Sequence, residues 1–150
     1  MPDFCSLEGR TALVTGGSRG IGKAIAAELA GAGATVVVGY RSGAEEAEGV
    51  ASEIGARAVQ ADVSEPEDAK RLVEEAGDVD ILVNNAGVTR DGLLARMPDE
   101  DWRVVVDTNL GGTFNTCRAV ARGMMRRRGG AIVNVSSIVG LHGNPGQTNY

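Results

Sequence analysis

Short runs of β-branched and aliphatic residues alternate along this chain with longer stretches that mix Ala, charged residues and regularly spaced aliphatics. The short runs are apolar at nearly every position rather than at every second one, which suits strands covered on both faces. The pattern predicts five strands, at Thr11 to Thr15, Thr35 to Tyr40, Arg57 to Asp62, Asp80 to Asn84 and Ala131 to Ser136. Between them it predicts helices at Ile21 to Gly31, Ala44 to Ile54, Glu65 to Gly77 and Asp99 to Arg127. In the first helix Ile21, Ile25 and Leu29 recur every four residues, so this stripe is expected against the sheet with Lys23 and Glu28 in water. Ser64 followed by Glu67 has the form of a capping box for the third helix. Strand and helix in strict alternation imply an α/β domain, a doubly wound parallel sheet that takes ligands at the carboxyl ends of its strands. With no repeat and no low-complexity linker, residues 1–150 read as one domain.

Composition narrows the function classes. The formal net charge of −5 over 150 residues argues against general nucleic-acid binding, which needs an excess of clustered cations. Cys5 and Cys117 lack metal-ligand spacing, so no metal site is expected, and free thiols suit a cytoplasmic protein. Met1 to Gly9 has neither the basic start nor the apolar run of a signal, and no stretch reaches the roughly 18 apolar residues of a membrane span.

The first strand runs directly into Thr15-Gly16-Gly17-Ser18-Arg19-Gly20-Ile21-Gly22 and then a helix. Strand, glycine turn and helix N-terminus form an order suited to phosphate, because glycines permit close backbone approach and the helix start offers unpaired N–H groups. The pattern G-x-G-x-x-G fails, since Ile25 follows Gly20 and Gly22 where a third glycine is needed. A P-loop fails at Ala24, where the Mg²⁺-binding Ser or Thr belongs. A glycine-rich turn without a ligand also fits this loop taken alone. At the end of the second strand an acidic residue would accept bonds from an adenosine ribose, but Tyr40-Arg41 stands there. With Arg19 in the glycine loop, two cations favour the 2′-phosphate of NADP(H), unless Arg41 is simply a solvated strand-end residue.

The spacing T-G-x-x-x-G-x-G resembles the short-chain dehydrogenase/reductase family, and the resemblance extends over essentially the whole chain. It implies a Rossmann fold whose glycine loop, with Gly16, Ser18, Arg19, Gly20, Ile21 and Gly22, wraps the diphosphate of NADP(H). It also assigns Asp62 and Val63 to the adenine side. In Asn84-Asn85-Ala86-Gly87, similar to the family's N-N-A-G, one asparagine holds the sheet, and Asn85, Ala86 and Gly87 line the cofactor pocket.

Reducing a carbonyl requires an acid for the developing alkoxide and a donor that polarises the oxygen. The resemblance assigns Ser137 as that donor, Tyr150 as the acid and Asn109 as the residue that orders a relay water. Tyrosine ionises near pH 10, so it needs a nearby cation to work at neutral pH. The family supplies a lysine four residues further on, beyond Tyr150, and this sequence departs from the pattern there. The resemblance therefore implies that the family's last strands and helices are missing, which would leave the fifth strand an apolar exposed edge prone to aggregation.

The segment Gly143 to Tyr150, with Thr89-Arg90-Asp91, is similar to the 3-oxoacyl-acyl-carrier-protein reductase branch of the family. The implied reaction is NADPH-dependent reduction of a 3-oxoacyl thioester to the (R)-3-hydroxyacyl thioester in fatty-acid synthesis. The implied substrate carrier is acyl-carrier protein or coenzyme A, and the complete protein is expected as a homotetramer. Arg126-Arg127-Arg128 is expected either to steer an acidic carrier near the pocket mouth or to complement a helix macrodipole. Trp102 is expected to pack, His142 to lie in a loop and Cys117 to be buried packing. Another ketoreductase, or a non-catalytic NADP(H)-binding remnant, are the competing readings.

Overall fold

The computed structural model describes residues 6–150, so Cys5 and the first residues of the expected leaderless start lie outside the described residues. Five parallel strands form one sheet: β1 (Thr11–Thr15), β2 (Thr35–Tyr40), β3 (Arg57–Gln60), β4 (Ile81–Asn84) and β5 (Ala131–Asn134), in the order β3-β2-β1-β4-β5. Ala12 lies beside Val36 on one side and Ile81 on the other, and Val83 beside Val133. The crossovers are α1 (Gly20–Gly31), α2 (Ala44–Ile54), α3 (Pro66–Ala76) and the pair α4 (Asp99–Val106) and α5 (Gly112–Arg127), with a helical turn α6 (Val139–His142) after β5.

The alternation of side chains along β1 and β2 divides the core in two. Ala12, Val14, Val36 and Val38 meet Ala26 of α1 and Val50 of α2 on one face. Leu13 and Val37 meet Leu72 of α3 and Val120 and Met124 of α5 on the other. The sheet is therefore doubly wound, as the apolar runs predicted, and the direction of winding reverses between β1 and β4. In such sheets the reversal opens a crevice at the strands' carboxyl ends. β5 is the edge strand on this side, with Ile132 42%, Val133 49% and Val135 38% exposed, whereas Leu13 and Val37 are fully buried.

Four expectations are corrected. Ile21 does not join the core stripe: it is 64% exposed, and the face of α1 toward the sheet is carried by Ile25, Leu29 and the buried Gly22 and Ala26. The capping box does not form. Ser64 turns back to Asp62, which accepts its N–H at 3.0 Å and its hydroxyl at 2.6 Å, and α3 starts one residue later at Pro66 without a side-chain cap. The same turn stops β3 at Gln60, short of Asp62. Finally, the helix expected from Asp99 to Arg127 carries a π-helical turn at Asp107–Gly111, one extra residue in the ladder.

Candidate active site

The crevice at the carboxyl ends of the strands holds two adjoining clefts of about 290 and 740 Å³. Arg19, Ile21 and Asn85 to Val88 line both, so together they form one continuous groove.

The first cleft is built by backbone geometry. Thr15, buried at the end of β1, accepts the N–H groups of Asn85 and Ala86 on its hydroxyl, each at 3.1 Å. The Asn85 amide in turn donates to the carbonyls of Thr15 and Gly16 at 3.1 and 3.0 Å. These bonds fasten the end of β4 to the glycine loop. Gly16, at φ +63°, leaves no room for a side chain, since a Cβ there would lie 2.9 Å from Ala86 Cα. A Cβ on Gly22 would collide with the Gly16 carbonyl and the Asn85 amide, so the first turn of α1 sits directly on the loop. Gly20, also at positive φ, opens the helix. Neither Gly20 nor Gly22 lines a cleft; they shape the loop whose Gly16, Ser18 and Arg19 do. No side chain caps α1, and its first-turn amides remain donors for an anion.

Arg19, Arg41, Asp62 and Val63 complete the first cleft. The Arg41 guanidinium lies 3.8 Å from the Asp62 carboxylate, a long pair that leaves it half exposed. Asp68 accepts the Asp62 N–H at 3.0 Å and pairs with Arg71, and these two contacts hold its carboxyl below the ordinary value of 3.8. Asp62 is thus held from both its main chain and, through Ser64, its side chain. A groove with free helix-start amides and a glycine cradle fits a dinucleotide, with Arg19 and Arg41 among its lining residues.

The second cleft gathers Asn109, Ser137 and Tyr150, three residues spread over 42 positions of sequence (150 − 109 + 1). Ser137 Oγ accepts the Val139 N–H at 3.2 Å, leaving its hydroxyl hydrogen available to a ligand. Tyr150 is 41% exposed, with its N–H on the Gln147 carbonyl at 3.1 Å. Asn109 sits in the π turn, and its side chain is committed: it accepts the Val88 N–H at 2.8 Å and donates to the Val88 carbonyl at 3.0 Å. Its main-chain carbonyl accepts the Thr113 hydroxyl at 2.8 Å.

Asn84 does not face the groove. Its amide donates to Asn134 at 2.9 Å and to the Cys117 sulfur at 3.3 Å, and it accepts the Thr116 hydroxyl at 2.6 Å, so it joins β4, β5 and α5. Cys117 is half-buried against the core, as expected. Trp102 does not pack; it is 46% exposed, and His142 lies exposed in α6. Of the two expectations for Arg126-Arg127-Arg128, the structure favours the helix C-terminus over the pocket mouth, since Arg126 and Arg127 lie in the last turn of α5. Arg127 binds Asp78 at 2.7 Å and the Val79 carbonyl at 2.6 Å, before β4, at the end of the sheet away from the groove. Helix α5 runs antiparallel to the strands, so its last turn cannot reach their carboxyl ends. The residues sequence reasoning left without roles are Thr116, Gln147 and the buried Asn149. Only Asn149's place beside Tyr150 signals it.

The family model described as short chain dehydrogenase matches residues 10–150. The 3-oxoacyl-[acyl-carrier-protein] reductase FabG of Staphylococcus aureus strain Mu50 is 49% identical over 150 residues, a match covering 94% of this chain and 61% of that protein. The 3-oxoacyl-[acyl-carrier-protein] reductase of Synechocystis sp. is 46% identical over 154 residues, covering 97% and 62%. A solved structure described as a short chain dehydrogenase/reductase family protein superposes with a TM-score of 0.92 at 41% identity, covering 97% of this chain and 62% of its own. The chain thus spans about three fifths of the length of the relatives it matches. With the glycine loop, the reversal crevice and the match running from Arg10 through Tyr150, the chain belongs to the short-chain dehydrogenase family.

Proposed function

We propose that the protein reduces a 3-oxoacyl thioester to the (R)-3-hydroxyacyl thioester with NADPH, in fatty-acid synthesis. The observation that carries this reading is the continuous groove, with Arg41 at one end, Ser137 and Tyr150 at the other, and Arg19 lining both clefts. The two relatives above, named for 3-oxoacyl-[acyl-carrier-protein] reduction, supply the substrate class.

NADPH, when bound, supplies the hydride. Gly16, Ser18 and the first-turn amides of α1 hold the diphosphate, and Arg19 and Arg41 hold the 2′-phosphate. Asp62 and Val63 flank the adenine, and Asn85, Ala86 and Gly87 wall the middle of the groove. Ser137 donates its free hydroxyl hydrogen to the substrate carbonyl, which fixes the oxygen and stabilises charge as it develops. Tyr150 gives a proton to that oxygen. Asn109 orders the water that returns a proton to the tyrosine. Substrates are acyl-carrier-protein or coenzyme A thioesters. The exposed Trp102 of α4 and Phe114 of α5 support helix pairing between subunits in a homotetramer. A cytoplasmic site of action agrees with the absence, among the described residues, of a helix long and apolar enough to cross a membrane.

The test is NADPH oxidation by the full-length protein with acetoacetyl-CoA, a 3-oxoacyl-acyl-carrier protein and a simple non-thioester ketone. Thioester-dependent turnover with NADPH and little with NADH supports the reading. Preference for the simple ketone points to another ketoreductase. NADPH binding without turnover on any of the three points to a non-catalytic binding protein.

A further inference from the structure

Between Ala131 and Tyr150 a single residue is buried, and it is the polar Asn149, 8% exposed. No apolar neighbour in that stretch explains its burial. An amide is removed from water only at a cost unless it finds partners; both of its hydrogens do, while its Oδ1 is buried without one. Nδ2 donates to the Arg90 carbonyl at 2.8 Å, in the loop after β4, and to the Asp101 carbonyl at 3.2 Å, in α4.

Two further bonds close the same seam. The Gly92 N–H donates to the Gly146 carbonyl at 2.8 Å, and Gln147 Nε2 lies 3.0 and 3.2 Å from the two Asp91 carboxylate oxygens. Gln147 also receives the Tyr150 N–H on its carbonyl. The segment that carries Tyr150 has no regular secondary structure of its own past α6. Among the described residues, the hydrogen bonds that tie it to the rest of the chain are those of this seam, of which Asn149 is the buried member.

We propose that Asn149 is a positioning residue for Tyr150: by bonding two carbonyls from separate elements, it fixes where the tyrosine hydroxyl stands in the groove. The proposal rests on the reading of Tyr150 as the proton donor. A misplacement of about 1 Å can cost on the order of a hundredfold in rate, so a bond one residue away has leverage over turnover. It should have none over cofactor affinity, because Asn149 lines neither cleft.

The test compares Asn149→Ala, Asn149→Asp, Gln147→Ala and Tyr150→Phe in the full-length protein. Asn149→Ala should lower kcat by about tenfold with the KM for NADPH unchanged. Asn149→Asp keeps the shape but turns a carboxylate oxygen on two carbonyls, so it should be slower than the alanine variant. Exchange of the Gly92 and Tyr150 amides should accelerate in both, a readout independent of activity. If Asn149→Ala does not fold, Gln147→Ala decides, since it cuts the surface bond to Asp91 without opening the interior; kcat should fall several-fold. Unchanged kcat and exchange in the Asn149 variants, or in Gln147→Ala where it decides, overturns the proposal while an inactive Tyr150→Phe leaves the reading standing. An active Tyr150→Phe overturns the reading and the proposal together.

Discussion

The two ends of the groove are made differently. The arginine end stands on β1 and β2, whose inner residues are fully buried, and its shape comes from a glycine loop locked to the neighbouring Asn85. The tyrosine end stands on β5, whose Ile132 and Val133 are 42% and 49% exposed, and on a loop fastened by bonds that reach back 48 to 59 residues. A site made by local backbone shape is sensitive to added volume. One made by distant side-chain bonds is sensitive to lost polarity.

The largest effect that separates the two ends should come from Gly22→Ala. Its methyl group would strike the Gly16 carbonyl and the Asn85 amide, and neither can yield without opening the loop. A stability loss of about 1–3 kcal/mol is expected from such overpacking, with NADPH binding abolished. Thermal unfolding and cofactor titration would check this, and a variant that still binds NADPH normally would break the claim that volume governs this end. Next is Arg41→Ala. Losing a charge-assisted phosphate contact should cost about 1.5–3 kcal/mol, roughly a 10- to 100-fold weaker NADPH affinity. NADH affinity should hold or improve, because Asp62 loses its cationic neighbour. Fluorescence titration with both cofactors reads the ratio.

Thr116→Val acts on the other side. It keeps the volume and removes the hydrogen given to Asn84, leaving a buried acceptor unpaired at a cost of about 1–3 kcal/mol. Urea unfolding should show the loss, and amide exchange should rise on β5 while β1 stays protected. The smallest effect concerns pH. The Asp62 N–H and then Arg71 hold the Asp68 carboxyl below 3.8, so the folded chain binds its proton less readily than the unfolded one. Its contribution to stability is therefore complete above 3.8 and is lost as pH falls through the lower, folded value. Asp68→Asn should flatten the acid limb of stability against pH, and an unaltered limb would remove Asp68 from the account.

The difference between the ends also explains what could be read from the sequence. Strands β1 and β2 were legible to the residue, because continuous apolar runs bounded by glycine admit little else. The glycine loop was legible as a turn between strand and helix because neighbours in sequence are neighbours in space. Ile21 was misread because helical periodicity locates a stripe but not where it meets the groove. The π turn at Asp107–Gly111 has no apolar signature, since it inserts a residue without changing composition. The two alternatives for Arg127 stay open in the sequence because charge runs carry no direction, and only the antiparallel path of α5 brings it to Asp78. The seam of Asn149 was invisible, because a polar residue in a polar loop gives no hint that it is buried.

The division of labour along the groove is tested most directly by measuring NADPH affinity and 3-oxoacyl thioester turnover side by side in full-length wild type and Tyr150→Phe. The account predicts that turnover falls by about a hundredfold or more while the NADPH dissociation constant stays within about twofold. Retained turnover, or affinity and turnover lost together, would contradict it.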